Sequence, residues 1–85
     1  MTHRVTFYFD RPDGTVGVAP IDGAGDALQL DLCACFLEHC SEVHLLSKVT
    51  VNSHTILVPP GTQDVRRKVT TFISFLLGQT NHGPI

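Results

Sequence analysis

The chain has 85 residues, 42% of them hydrophobic, which excludes a disordered polymer and leaves room for one small core. Charged residues make up only 16%, against roughly 25% in a typical soluble domain, so part of the surface is expected to be apolar. A net charge of −2 argues against a protein that holds nucleic acid by bulk electrostatics.

No apolar run approaches the roughly 18 residues of a membrane span. Met1-Thr2-His3-Arg4 leads into strand-like alternation, not into the apolar stretch of a signal peptide. Cys33, Cys35 and Cys40 are odd in number and clustered, a poor disulfide framework. These features point to a reducing, cytoplasmic setting with no membrane partner.

Over residues 3–10, Val5, Phe7 and Phe9 alternate with Arg4, Thr6, Tyr8 and Asp10, the period of a half-buried strand. Arg11-Pro12-Asp13-Gly14 is a turn, and alternation resumes from Thr15 to Ala19 with Val16 and Val18 on one side, expected to be buried. After the loop of residues 20–25, Asp26 is the expected N-cap of a helix over residues 27–40. Leu28, Leu30, Leu32, Cys33, Phe36, Leu37 and Cys40 would cover about half of its circumference.

Residues 42–51 alternate again. Val43, Leu45, Ser47, Val49 and Val51 share one face, and Glu42, His44, Leu46, Lys48 and Thr50 the other. Asn52-Ser53 fits a two-residue hairpin turn that sets Val51 opposite His54, Val49 opposite Ile56 and Ser47 opposite Val58. Pro59-Pro60-Gly61 ends the strand, and Thr62 is the expected cap of a second helix. In that helix Val65, Val69, Phe72, Ile73 and Leu76 share a face, and Gly78 is placed to terminate it.

The order is β-β-α-β-β-α. The expected fold is α+β, a four-stranded antiparallel sheet with two helices on one face, with a β-grasp arrangement as the topological rival. One domain is expected over residues 1–78, with 79–85 as a flexible tail. The strand–turn–strand–helix order of residues 43–77 resembles the C-terminal half of the small dimerising subunit of the KEOPS complex. That likeness is one of element order, covers under half of the chain and stops short of the N-terminal hairpin.

Chemical machinery is sparse. Cys35 and His39 lie four apart on the first helix and can approach one another, which makes a small thiol or metal protein a third reading. Against it, four converging zinc ligands at the usual spacing are missing, and Asp31, Glu38 and the helix C-terminus all disfavour a thiolate. There is no GxGxxG or GxxxxGK[ST] phosphate loop, and the aspartates fall at turn and cap positions. No catalytic residue, metal ligand or cofactor is assigned.

Charge is divided unevenly. Residues 1–42 hold two bases against seven acids, −5, and residues 43–85 hold four bases against one acid, +3. Arg66, Arg67 and Lys68 stand in the first turns of the second helix, where the dipole disfavours them, so they are read as contacts for an acidic partner surface. Tyr8, Leu46, Leu57 and Lys48 are expected on the outer sheet face as a second contact area. The leading expectation is a non-enzymatic protein–protein interaction module: a subunit, an adaptor or a stoichiometric inhibitor, with phage-encoded inhibitors of host defence as the analogy. The two unlike halves can also pair head-to-tail as a homodimer. Nucleic-acid binding through Arg66, Arg67, Lys68 and Lys48 is the second reading, marked by steep salt dependence.

Overall fold

Strand β1, His3–Asp10, forms where the alternation demands it, and its odd side chains Val5, Phe7 and Phe9 are buried. The computed structural model describes residues 3–23 and 25–80. The remaining elements are β2 (Val16–Gly23), α1 (Asp26–His39), a short 3-10 turn (Val43–Leu45), β3 (Leu46–Val51), β4 (His54–Leu57) and α2 (Val65–Thr80). They build an α+β fold in which one antiparallel sheet, ordered β2-β1-β3-β4, carries both helices on one face. Because β1 pairs antiparallel with β3, the two hairpins lie side by side and the β-grasp rival does not arise.

Turn chemistry fixes the hairpins. In the first, the Asp13 carboxylate accepts from the Thr15 N–H at 2.9 Å and its Oγ1 at 2.6 Å, which hold it below the usual carboxylate range. Gly14 beside it takes φ +87°. In the second, Asn52 takes φ +54° and the expected pairs form, Val51 with His54 and Val49 with Ile56. The Val58 N–H bonds to Ser47 O at 2.9 Å, as that register requires. Asn52 also ties the turn to β1. Its N–H donates to Arg4 O at 2.9 Å, its Oδ1 accepts from the Arg4 N–H at 3.1 Å, and its Nδ2 meets His3 Nδ1 at 3.0 Å. His3 is therefore a buried strand residue and not part of a loose tail.

Four faces differ from the sequence expectation. On β2, Gly17, Ala19 and Ile21 lie opposite Phe9, Phe7 and Val5, so Val16 and Val18 fall on the outer face, 54% and 57% exposed. On β3, pairing steps from Tyr8↔Lys48 to Phe9↔Leu46, which makes Ser47 an extra residue. That bulge reverses the parity upstream of it, so Leu46 is buried in the core and leaves the expected contact area. On α1 the buried line is Gln29, Cys33 and Leu37, while Leu28 and Leu32 are exposed. Gln29 is admitted because Gly23 lacks a side chain: a Cβ there would collide with Gln29 Oε1 and stand 3.1 Å from its Cα. Its Nε2 donates to Ile21 O at 2.7 Å. On α2 the buried line is Val69, Ile73 and Leu77, which turns Phe72 outward at 53% exposure.

Boundaries shift too. Gly25, not Asp26, is the N-cap of α1. Helix α2 starts at Val65, not beside Thr62, and the Lys68 N–H bonds to Asp64 O at 2.9 Å. The helix also continues through Gly78 to Thr80, so Gly78 does not end it. Of the expected flexible tail, residues 81–85 lie outside the described residues. No helix of the described residues is long and apolar enough to cross a membrane.

The Asn52 side chain gives one test. Asn52→Gly keeps the positive φ and loses the side-chain bonds, an expected cost of about 1 kcal/mol. Asn52→Ala adds roughly another 1 kcal/mol from the left-handed backbone. Urea unfolding that ranks Ala at or above Gly contradicts this account of the turn.

Candidate interaction surface

The two helices cover their hairpins unequally. Helix α1 lies over β1 and β2, where the small residues Ala19 and Gly23 let it approach, and Phe36 stacks on Phe7 with ring centroids 5.0 Å apart. Helix α2 packs mainly on α1, with β3 and the 3-10 turn beneath it. Arg66 accounts for that lean. Its Nε donates to Leu37 O at 2.8 Å and its Nη2 to Cys40 O at 3.5 Å, so the guanidinium sits on the carbonyl end of α1, where the dipole favours a cation. The first turn of α2 is thereby drawn toward α1 and away from β4.

What remains is an open groove of about 680 Å³ between β4 and α2. Its apolar wall is Ile56, Val58, Val69 and Phe72, and Arg67 and Lys68 stand along it. Leu57, 72% exposed, borders the groove from β4, but its side chain turns to the opposite face of the sheet, across from Lys48. Phe75, 60% exposed, continues the stripe of Lys68 and Phe72 at helical spacing. Phe72 and Phe75, left open to water beside the apolar groove wall, form a patch and not scattered exposed residues.

The expected contact residues do not converge. Arg66, although exposed, is engaged by the carbonyl end of α1. Arg67 pairs with Asp64 at 3.2 Å, both side chains being mostly exposed. Lys68 is exposed beside the groove. Lys48 lies on the opposite face of the sheet, its Nζ 4.4 Å from the centre of the Tyr8 ring. Across the strands this face reads Val18, Tyr8, Lys48, Leu57 and then Pro20, Thr6, Thr50, Thr55, a mixed surface in which the Lys48–Tyr8 pair separates Val18 from Leu57. Leu46 is absent from it. The groove escaped sequence reasoning because Phe72 fits the buried pattern; Phe75, off that stripe, was the available signal.

The cysteines follow their burial. Cys35 and His39 are exposed on α1, and Cys40 is half-buried at the helix end. Among the described residues no three His, Cys, Asp or Glu side chains gather as a metal site. Burial pushes the Cys33 thiol up to about 11, while Gln29, 3.9 Å from its sulfur, works in the other direction. Comparison with protein-family models, curated proteins and solved structures finds no match to this chain.

Two outcomes are expected. Arg66→Ala, which uncaps α1 and frees α2, should cost about 1–2 kcal/mol in urea unfolding; an unchanged midpoint contradicts the tether. A thiol reagent should label Cys35 rapidly in the folded protein and Cys33 only on unfolding. The unfolded thiol ionises near 9 and the folded one near 11, so stability should fall as pH rises across that window and Cys33→Ala should flatten the fall.

Proposed function

We propose that this chain is a non-enzymatic, cytoplasmic protein–protein interaction module, a subunit, adaptor or stoichiometric inhibitor, that seats its partner on the β4–α2 side. The observation that carries the reading is the groove between an edge strand and a helix, where Phe72 is exposed and Ile56 only half-buried above a floor that includes Val58. A core this small gains from burying every large apolar side chain, so leaving Phe72 and Phe75 outside forgoes stability. A partner that covers them supplies the compensating burial. Arg67 and Lys68 give the site its charge preference, since cations beside an apolar patch select an acidic rim. Arg66 is excluded from that role by its bonds to α1.

The experiment is quantitative affinity capture from the source cells with the intact chain and with an Arg67→Glu/Lys68→Glu variant. The variant should keep its unfolding midpoint, because both side chains are exposed, and should lose a specific partner by roughly tenfold or more in recovery. A Tyr8→Ala/Lys48→Ala variant on the opposite face should retain that partner. Equal recovery with the charge-reversed variant contradicts the reading.

A further inference from the structure

The two edges of the sheet are built differently. Hydrogen bonding alternates along an antiparallel strand, so each edge strand offers every second residue's N–H and C=O outward. On β2 the outward residues are Val16, Val18, Pro20 and Asp22, since Gly17, Ala19, Ile21 and Gly23 take the bonds to β1. Pro20 has no N–H to give, and Asp22 is held in an ion pair with Arg4 at 2.8 Å. A proline and a charge are the usual devices that keep an edge from pairing with another chain.

Edge β4 has neither. Its bonds to β3 run through His54, Ile56 and Val58, which leaves Thr55 and Leu57 with outward N–H and C=O groups. His54, Thr55, Ile56 and Leu57 include no proline and no acid, Lys or Arg. Beside this edge lies the groove, with Ile56 below and Phe72 above, so a strand laid along β4 has a place for alternate side chains. Charge decides what that strand is. Helix α2 returns from its first turn near Pro59, which puts Arg67 and Lys68 at the Leu57 end of the groove and Phe72 further along. In a two-fold β4–β4 pairing of this chain, both Arg67–Lys68 pairs would border one seam, an arrangement that like charge opposes.

We infer that β4 accepts an extended partner segment as a fifth strand, with a carboxylate side chain facing Arg67 and Lys68 and apolar side chains at the next alternate positions facing Ile56 and Phe72. This rests on the interaction-module reading and names its partner chemistry. The short edge, closed by Pro59-Pro60, allows two outward residues to pair, enough for register and too few for open-ended growth.

The test is an amide NMR titration of the intact chain with short blocked peptides that alternate threonine with Glu, Val and Val, in both chain directions. Lysine-for-glutamate versions serve as controls. The better-directed acidic peptide should slow exchange of the Thr55 and Leu57 amides and shift residues 54–58 and 67–75. It should bind roughly tenfold tighter than its lysine counterpart, and that preference should vanish in the Arg67→Glu/Lys68→Glu variant. Methylating one alternate set of peptide nitrogens should abolish binding, and methylating the other set should not.

Binding without Thr55 and Leu57 protection, binding on the Tyr8–Val18 face, no binding in either direction, or no charge preference overturns the inference. So does concentration-dependent protection of Thr55 and Leu57 without peptide, which assigns the edge to a second copy. In each of these cases the interaction-module reading stands if the charge-reversed variant still loses its captured partner, and falls with the inference if it does not.

Discussion

Strand β1 is hydrogen-bonded along both edges, to β2 through its odd residues and to β3 through its even ones, and its odd side chains fill the layer beneath the helices. A strand held on both sides cannot slip by one residue without exchanging Val5, Phe7 and Phe9 for Arg4, Thr6 and Tyr8. The other registers follow from that restriction. Gly17, Ala19 and Ile21 face the core because they stand opposite Phe9, Phe7 and Val5. Thr50 and Lys48 face outward because they stand opposite Thr6 and Tyr8.

The same arrangement explains why the two similar halves have unlike surfaces. Each half is a hairpin followed by a helix, yet only the first hairpin is lined with residues small enough for its helix to close over it. In the second half, α2 is held to the end of α1 by Arg66, and a short β4 bearing Ile56 and Leu57 is left partly uncovered. The opening thus follows from packing and from one charge-assisted bond at a helix terminus. Arg11 has a comparable role on the same α1–β3 connection, where it bonds Glu42 at 2.9 Å and holds that carboxyl below its ordinary range. Of the six Lys and Arg residues, four bond acids or carbonyls within the fold: Arg4 to Asp22, Arg11 to Glu42, Arg66 to α1 and, at 3.2 Å, Arg67 to Asp64.

This accounting changes what the charge split means. The basic second half reads in sequence as a single patch, but in the fold Lys48 and the Arg67–Lys68 pair lie on opposite faces of the sheet and Arg66 is bonded to the end of α1. A diffuse field for a polyanion needs many cations on one surface. Two cations beside an apolar groove suit recognition of a few carboxylates next to buried side chains.

Sequence alone determined what depends on neighbours within a few residues. Alternation placed β1 and chose its dry face, Asn52 set the second hairpin and its register, and helical spacing located α1 and α2. Those signals are local because backbone periodicity and turn conformation are local. Tertiary structure decided whatever depends on a distant partner. Leu46 turned inward because β3 carries a bulge against Phe9, a step invisible to simple alternation. Phe72 turned outward because α2 is rolled about its axis by contacts with α1 and by Arg66, and a wheel shows an apolar arc without showing which part of it meets a neighbour. Gln29 took a core position because Gly23, six residues earlier and on another element, made room for it. A side chain's face is encoded in the chain, but its cover is supplied by whatever the rest of the fold brings against it.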